Sequence, residues 1–427
     1  SRINGSLDVL GSRTRRRNVL LARPGLVWKL LAGARLLLMS AEPLFTLTAG
    51  PVQPSAETIR ALATPVYDQF DPYFLELYES TVENLRIAMG VSSAPVILHG
   101  EAVLGLEAAA ASLIARDDVV LNLASGVYGK GYGYWAARYC KELLEIEVPY
   151  NQVINPEYVE QMFRKRPDIA IVAVVHSETP SGTLNPVKEI AAVCARYGAL
   201  LIVDAVSSFG ATEVDFEGWP ADLVVVGPQK ALGGPPGLSL LYVSDRAWKK
   251  IEDNPDAPVA SMLSISDWRN AHLASVKFPF TPSITEIYAL NSTIAQYLRE
   301  GPQAAWARHT RVANAVQAGL LGMGLELWPD KREHCSPALT AFKLPVGCTG
   351  AAVRAHAREH YGVMISGGYG ELTDSLLRIG HMGPTAYPVF AAVSISAVGQ
   401  SMRDLGVNVD VGAGVSAAMS AVSTFTK

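Results

Sequence analysis

Residues 199–243 read ALLIVDAVSSFGATEVDFEGWPADLVVVGPQKALGGPPGLSLLYV. Three short β-branched or leucine-rich runs, at 200–203, 223–226 and 238–243, have the length and composition of buried strands. The first run ends on an acid, Asp204, and the second leads to a lysine, Lys230, followed by a loop rich in glycine and proline. An acid and a lysine at the ends of neighbouring strands suit a site that holds a pyridine ring. The lysine would form an imine and the acid would keep the ring nitrogen protonated.

Outward from this stretch a strand–loop–helix rhythm repeats. Strands are expected at 95–99, 119–123, 144–148 and 169–175, with helices at 103–115, 135–143 and 186–197. The loops between them read HGE, ASGVYGKGYG and HSETPSG. This alternation predicts an α/β fold: a mostly parallel sheet covered by helices, with ligands beyond the carboxyl ends of the strands. The loop LTAGPVQPS at 46–54, broken at Gly50 and Pro51, suits a segment crossing a site mouth. Beyond residue 245 the pattern changes to long helices at 284–300 and 302–324, mixed short elements, and closing helices at 384–405 and 411–423. We therefore expect a large domain over 39–300 and a smaller α+β domain over 301–427.

Residues 1–38 carry eight basic side chains against one acid, Asp8. An arginine-rich, acid-poor leader has the composition of an organelle presequence, and 26–38 that of a secretory apolar run. We read the segment instead as a disordered or upstream extension outside the mature protein, because Met39 stands just before the first folded-looking segment. The 427 residues are 49% hydrophobic and 18% charged, with a formal net charge of −4, which gives no reason to expect nucleic acid or an anionic membrane as partner. Four cysteines without CxxC spacing read as reduced, mostly buried thiols of a cytoplasmic protein. Eight histidines without HExxH or similar spacing give a metal enzyme no support.

Five side chains carry chemistry in one scheme. Lys230 attacks a carbonyl only when neutral, so it needs a desolvated or electropositive site. Asp204, after an apolar strand, needs a cationic partner, and a pyridinium nitrogen is one. Tyr128 in SGVYGKG is placed to stack on a ring face, and Thr179 in SETPSG to bond a ring hydroxyl. Arg378 in SLLR has the planar fork that grips a carboxylate. Each residue alone is equally well a turn, cap or surface residue; their order along the chain is the stronger signal.

That order, HGE, SGVYG, TPSG, DAVSS, GPQKALG, FTPS and LRIGHMG, resembles the class V (fold type I) aminotransferases from about Thr46 to the end. The runs LTAGPV, PVILHGE, VLGLEAAAASLI, FPFTPS and RIGHMGPTA resemble most closely the pyridoxamine–pyruvate branch. The resemblance implies a Schiff base on Lys230, Asp204 facing the ring nitrogen, Tyr128 stacked on the ring and Arg378 on the substrate carboxylate. It also implies Phe280, before TPS, as a ring-site residue where phosphate-using relatives carry a tyrosine reaching a neighbouring subunit. Glu101 would repel a phosphate and accept a hydrogen bond from an unphosphorylated 5′-hydroxymethyl group. The implied reaction moves an amino group from pyridoxamine to pyruvate, giving pyridoxal and L-alanine. Pyridoxal or pyridoxamine would then be a substrate held by Lys230, with no permanently bound cofactor. Two departures keep a second reading open, a pyridoxal-phosphate-dependent alanine–glyoxylate or serine–pyruvate aminotransferase. Tyr369 stands where that branch has a second carboxylate-binding arginine, a change of roughly 1–3 kcal/mol, and Gln229 precedes the lysine as in phosphate-binding relatives. The expected partners are small molecules and a second copy of the chain, as homodimer or homotetramer.

Overall fold

The computed structural model describes residues 44–424, so the expectation for residues 1–38 lies outside what is described. Seven strands form the central sheet: β1 (Val96–Leu98), β2 (Val119–Ala124), β3 (Glu142–Glu147), β4 (Ile169–Val175), β5 (Leu200–Asp204), β6 (Leu223–Val226) and β7 (Ser239–Val243). Their spatial order is β1-β7-β6-β5-β4-β2-β3. β7 runs antiparallel to both its neighbours, and every other pairing is parallel. Strands β1, β2, β5, β6 and β7 are buried along their whole length, as helices on both faces require. β3 is the exception. As an edge strand with charged residues at both ends it is exposed to half-buried, and it begins two residues before the expected apolar run.

Helix α1 (Ala102–Leu113) follows β1 at once, and α2 (Val127–Tyr139) follows β2. The alanines at 108–111 of α1 are wholly buried and let the helix lie close on the sheet. The start of α2 departs from the sequence expectation, which left its glycines in a loop and began the helix at 135. These glycines are packing residues. A Cβ at Gly129 would come 2.9 Å from the Leu123 carbonyl oxygen, and one at Gly133 would come 2.8 Å from Asn122 Nδ2. A bare backbone is what allows α2 to settle on β2.

Helices α3 (Ile284–Glu300) and α4 (Pro302–Gly322) lead into a three-stranded antiparallel sheet: β8 (Leu339–Lys343), β9 (Ser366–Gly367) and β10 (Leu376–Gly380), in the order β8-β10-β9. One apolar core runs from Phe74 to Ala305 and surrounds the seven-stranded sheet. A second gathers residues between Val312 and Ala418 and takes Leu47 from the other end of the chain. That last member comes from a strap. Phe45–Thr46 pairs in parallel with Val363–Met364, and Gly380 N donates to Leu47 O at 2.8 Å. The strap then turns through Gly50 toward the large sheet.

All four cysteines are free, but only Cys194 is buried; Cys140, Cys335 and Cys348 are half-buried at a helix end and in loops, against the expectation that most would be buried. Among the described residues, no helix is long and apolar enough to cross a membrane and no cluster of three His, Cys, Asp or Glu is placed to hold a metal ion.

Candidate active site

The carboxyl ends of β2, β4, β5 and β6 open on one cavity of about 650 Å³, lined among others by Glu101, Tyr128, Thr179, Asp204, Lys230 and Tyr369. Six of the eight side chains singled out in the sequence therefore share one space. This volume suits a small organic ligand.

Asp204 is the last residue of β5, and its Oδ1 accepts from Val206 N at 2.9 Å. Burial pushes this carboxyl up to about 6, against that hydrogen bond and the nearby Lys230 ammonium. A buried acid in this state gains from a cationic partner, and a protonated ring nitrogen supplies one. Lys230 lies four residues past β6, and its Nζ donates to the Ala49 carbonyl of the strap at 2.8 Å. Burial, then the guanidinium of Arg378, bring the amine down to about 8, opposed by Glu101 and Asp204. A neutral amine is thus available near working pH, as nucleophilic attack requires. Gly50, at φ +99°, faces this amine so closely that any Cβ would collide with it.

Tyr128 sits in the first turn of α2 and meets Tyr369 edge to face at 5.8 Å. The N–H groups of Tyr128 and Gly129 donate to the Glu178 carboxylate at 3.2 and 2.6 Å. Glu178 is fully buried and burial pushes it up to about 8, opposed by these two hydrogen bonds. Sequence reasoning passed over this acid. The signal was present in the two glycines, Gly126 and Gly129, whose missing side chains leave the space that it fills.

Thr179 Oγ1 lies 2.5 Å from Ser207 Oγ, and Thr179 O accepts from Arg378 Nη1 at 2.9 Å. Arg378 is in the middle of β10, not at its end, and its Nε donates to Gly367 O at 2.7 Å. Held at both points and buried, the guanidinium is fixed beside the cavity, with Nη2 left for a carboxylate. Phe280 does not line the cavity of its own chain. It packs edge to face on Trp268 at 4.9 Å and on His99 at 6.2 Å.

Glu101 caps α1. Its Oε2 accepts from Val103 N at 2.8 Å, and its Oε1 accepts from Gln229 Nε2 at 2.5 Å. Ser239 on β7 pins the turn by donating to the Gly100 and Glu101 carbonyls, both at 2.9 Å. The residue before the lysine is therefore committed to a carboxylate of the chain itself.

Comparison with known proteins agrees with this geometry. The family model for class-V aminotransferases matches residues 132–376. The chain is 52% identical to the pyridoxamine–pyruvate transaminase of Mesorhizobium japonicum over 90% of its own length and 97% of that protein's. It is 29% identical to the alanine–glyoxylate aminotransferase of Drosophila melanogaster over 85% of this chain and 93% of that one. The solved structure of pyridoxamine–pyruvate aminotransferase from Mesorhizobium loti superposes with a TM-score of 0.89 at 52% identity, covering 90% of this chain and 98% of that one. Ureidoglycine–glyoxylate aminotransferase from Bacillus subtilis gives 0.84 at 28% identity, over 90% and 99%. The sheet order, the lysine after the sixth strand and these matches are those of a fold type I enzyme, and the chain belongs to the class V aminotransferases.

Proposed function

We propose that this aminotransferase moves the amino group of pyridoxamine to pyruvate, giving pyridoxal and L-alanine, and that the ring enters and leaves as a substrate. Class V aminotransferases work with pyridoxal phosphate, and the preference for an unphosphorylated ring in this chain rests on Glu101. A helix N-terminus beside a ring pocket is where a phosphate is ordinarily held. At α1 that place is taken by the chain's own carboxylate, which accepts from Val103 N and Gln229 Nε2. A phosphate with nearly two negative charges meets repulsion there, whereas a 5′-hydroxymethyl group finds a charged acceptor. The Mesorhizobium relatives, named for pyridoxamine and pyruvate, support the same reading.

When bound, the ring draws electrons from the carbon that exchanges its amino group. The chain's own groups do the rest. Lys230 takes the ring aldehyde and, once freed, carries a proton on Nζ between the two exchanging carbons. Asp204 holds the proton on the ring nitrogen. Tyr128 covers a ring face, and Thr179 with Ser207 meets the ring hydroxyl. Arg378 grips the carboxylate of pyruvate or alanine, and Tyr369 adds one neutral hydrogen bond at the rim. Phe280, turned away from its own cavity, serves the cavity of a neighbouring copy in a cytoplasmic homodimer or homotetramer. The large part of the chain, to about residue 300, holds the ring, and the part behind it holds the substrate carboxylate; the two apolar cores support that division.

One assay tests the reading. Dialysed protein is mixed with pyruvate and either pyridoxamine or pyridoxamine phosphate, and the aldehyde absorbance is followed. Faster turnover of the phosphorylated amine, or stoichiometric pyridoxal phosphate surviving dialysis, would sink it.

A further inference from the structure

Where α2 lies on β4 and β5 there is a second, much smaller cavity, lined by Asn122, Tyr132, Ala173, Ile202 and Asp204 among others. Its free space, about 10 Å³, is that of a single water molecule. Two side chains facing it carry a polar atom with no protein partner. Tyr132 is 5% exposed and its hydroxyl is unpaired; Asn122 is 1% exposed and its Oδ1 is unpaired. The orientation of the Asn122 amide is not arbitrary. Its Nδ2 is already engaged with Gly129 O at 2.9 Å and Glu145 Oε2 at 3.1 Å, so the oxygen is the atom left over. Asp204 is the third polar group, and only one of its oxygens has a backbone partner, Val206 N.

We propose that one water bound between Tyr132, Asn122 and Asp204 carries a hydrogen bond from the buried phenol to the ring-binding carboxylate, which makes Tyr132 a positioning residue for Asp204. The donors and acceptors close without remainder. The phenol donates to the water oxygen, and the two water hydrogens go to Asn122 Oδ1 and Asp204. Burial, with the Asp204 charge adding to it, holds the Tyr132 phenol far above its ordinary range, so it remains a donor throughout the working pH. Tyr132 is also one helical turn beyond Tyr128, on the same face of α2. The helix that brings one phenol to the ring face therefore brings another to the acid. The link to catalysis rests on the assignment of Asp204 to the ring nitrogen made above; the water site itself does not.

The charged groups that act on Asp204 besides the ring are Lys230, Glu101 and Glu178, with the phenols of Tyr128 and Tyr132. Tyr132→Phe leaves all of them in place except the one hydroxyl. A crystal structure of the full ligand-free protein should show one water within hydrogen-bond distance of Tyr132 Oη, Asn122 Oδ1 and Asp204. In Tyr132→Phe that water should be lost. The pH midpoint of the absorbance of pyridoxal held on Lys230 should shift by up to about one unit, a tenfold change. The kcat should drop about threefold to tenfold while KM for pyruvate stays within about twofold. A dry cavity in the wild-type crystal overturns the proposal even if the variant fails to fold, and so does an unchanged pH midpoint in a folded variant. Failure to convert pyridoxamine would instead refute the function proposed above while the water remained in place.

Discussion

The two hydrogen bonds that Glu101 accepts make its replacement informative in two separate ways. In Glu101→Ala, α1 loses its cap, a cost of about 1 kcal/mol. Gln229 Nε2, inside a residue 2% exposed, loses its partner as well, at about 1–3 kcal/mol more. Stability should therefore fall by roughly 2–4 kcal/mol, read from denaturant or thermal midpoints. On the proposed reading pyridoxamine also loses the charged acceptor of its hydroxymethyl group, worth about 1.5–3 kcal/mol, so its affinity should drop roughly tenfold to a hundredfold. Alanine should be nearly unaffected, because Arg378 is held by Thr179 and Gly367 and owes nothing to Glu101.

Glu101→Gln separates the two effects. The amide oxygen still caps Val103 N, and Gln229 can turn its amide to accept, so the fold should lose about 1 kcal/mol or less. The charge, however, is gone. Pyridoxamine should bind severalfold more weakly and pyridoxamine phosphate more tightly than in the parent, by steady-state KM for each amine and for alanine. Equal losses for pyridoxamine and alanine, or no gain for the phosphorylated amine, would refute the assignment of Glu101 as the group that reads the 5′ position.

Other outcomes follow from the same geometry. Because burial lowers Lys230 to about 8, capture of pyridoxal by the free enzyme should quicken as pH rises through about 8, checked by stopped-flow absorbance. The same shift acts on stability: between about 8 and 10.5 the unfolded chain holds a proton that the folded chain has lost, so stability should rise with pH there, and Lys230→Met should flatten the rise in thermal melts. Arg378→Lys leaves the Thr179 and Gly367 carbonyls without a rigid fork and should raise KM for both pyruvate and alanine about tenfold or more, with a smaller change for pyridoxamine. Tyr369→Arg, at a rim position 53% exposed, adds a second guanidinium and should lower KM for pyruvate by about tenfold, whereas Tyr369→Phe should change it about twofold or less; a Tyr369→Arg variant with unchanged KM would show that the rim does not touch the carboxylate.

What was legible in the sequence is what the chain writes in side-chain pattern. A run of β-branched residues that stops on an acid, or stops shortly before a lysine, marks a buried strand feeding a polar end, and both Asp204 and Lys230 were found that way. Alternation of strands and helices predicted the sheet, though not the antiparallel course of β7, since a fully buried strand reads the same in either direction. Glycine misled at α2. In sequence Gly129, Gly131 and Gly133 are breakers, while in the fold Gly129 and Gly133 are the residues that let the helix approach β2. Glu178 was invisible because an acid in a turn motif looks exposed until the glycines opposite it are known to leave room. Gln229 and Glu101 are 128 residues apart, and no local pattern announces their bond. The Ala49 carbonyl that holds the lysine amine is backbone and has no residue type to read.

That carbonyl belongs to a strap that touches both the Lys230 turn and the strands around Arg378. Ala49 N donates to Ser366 Oγ at 3.0 Å, and Ser366 pairs across the sheet with Arg378. On its other side the strap continues to Val52, whose N–H donates to Gln229 O at 3.1 Å, next to the lysine. A short run of backbone thus spans from the strands that fix the Arg378 guanidinium to the turn that carries the Lys230 amine. Neither end tolerates a side chain in the gap: a Cβ on Gly50 would strike Lys230, and one on Gly380 would strike the Thr48 carbonyl. The spacing between Arg378 and Lys230 is therefore set chiefly by hydrogen bonds of the strap's backbone, with the Ser366 hydroxyl as a side-chain partner among them. The strap thus holds these groups in register through bonds of the chain itself.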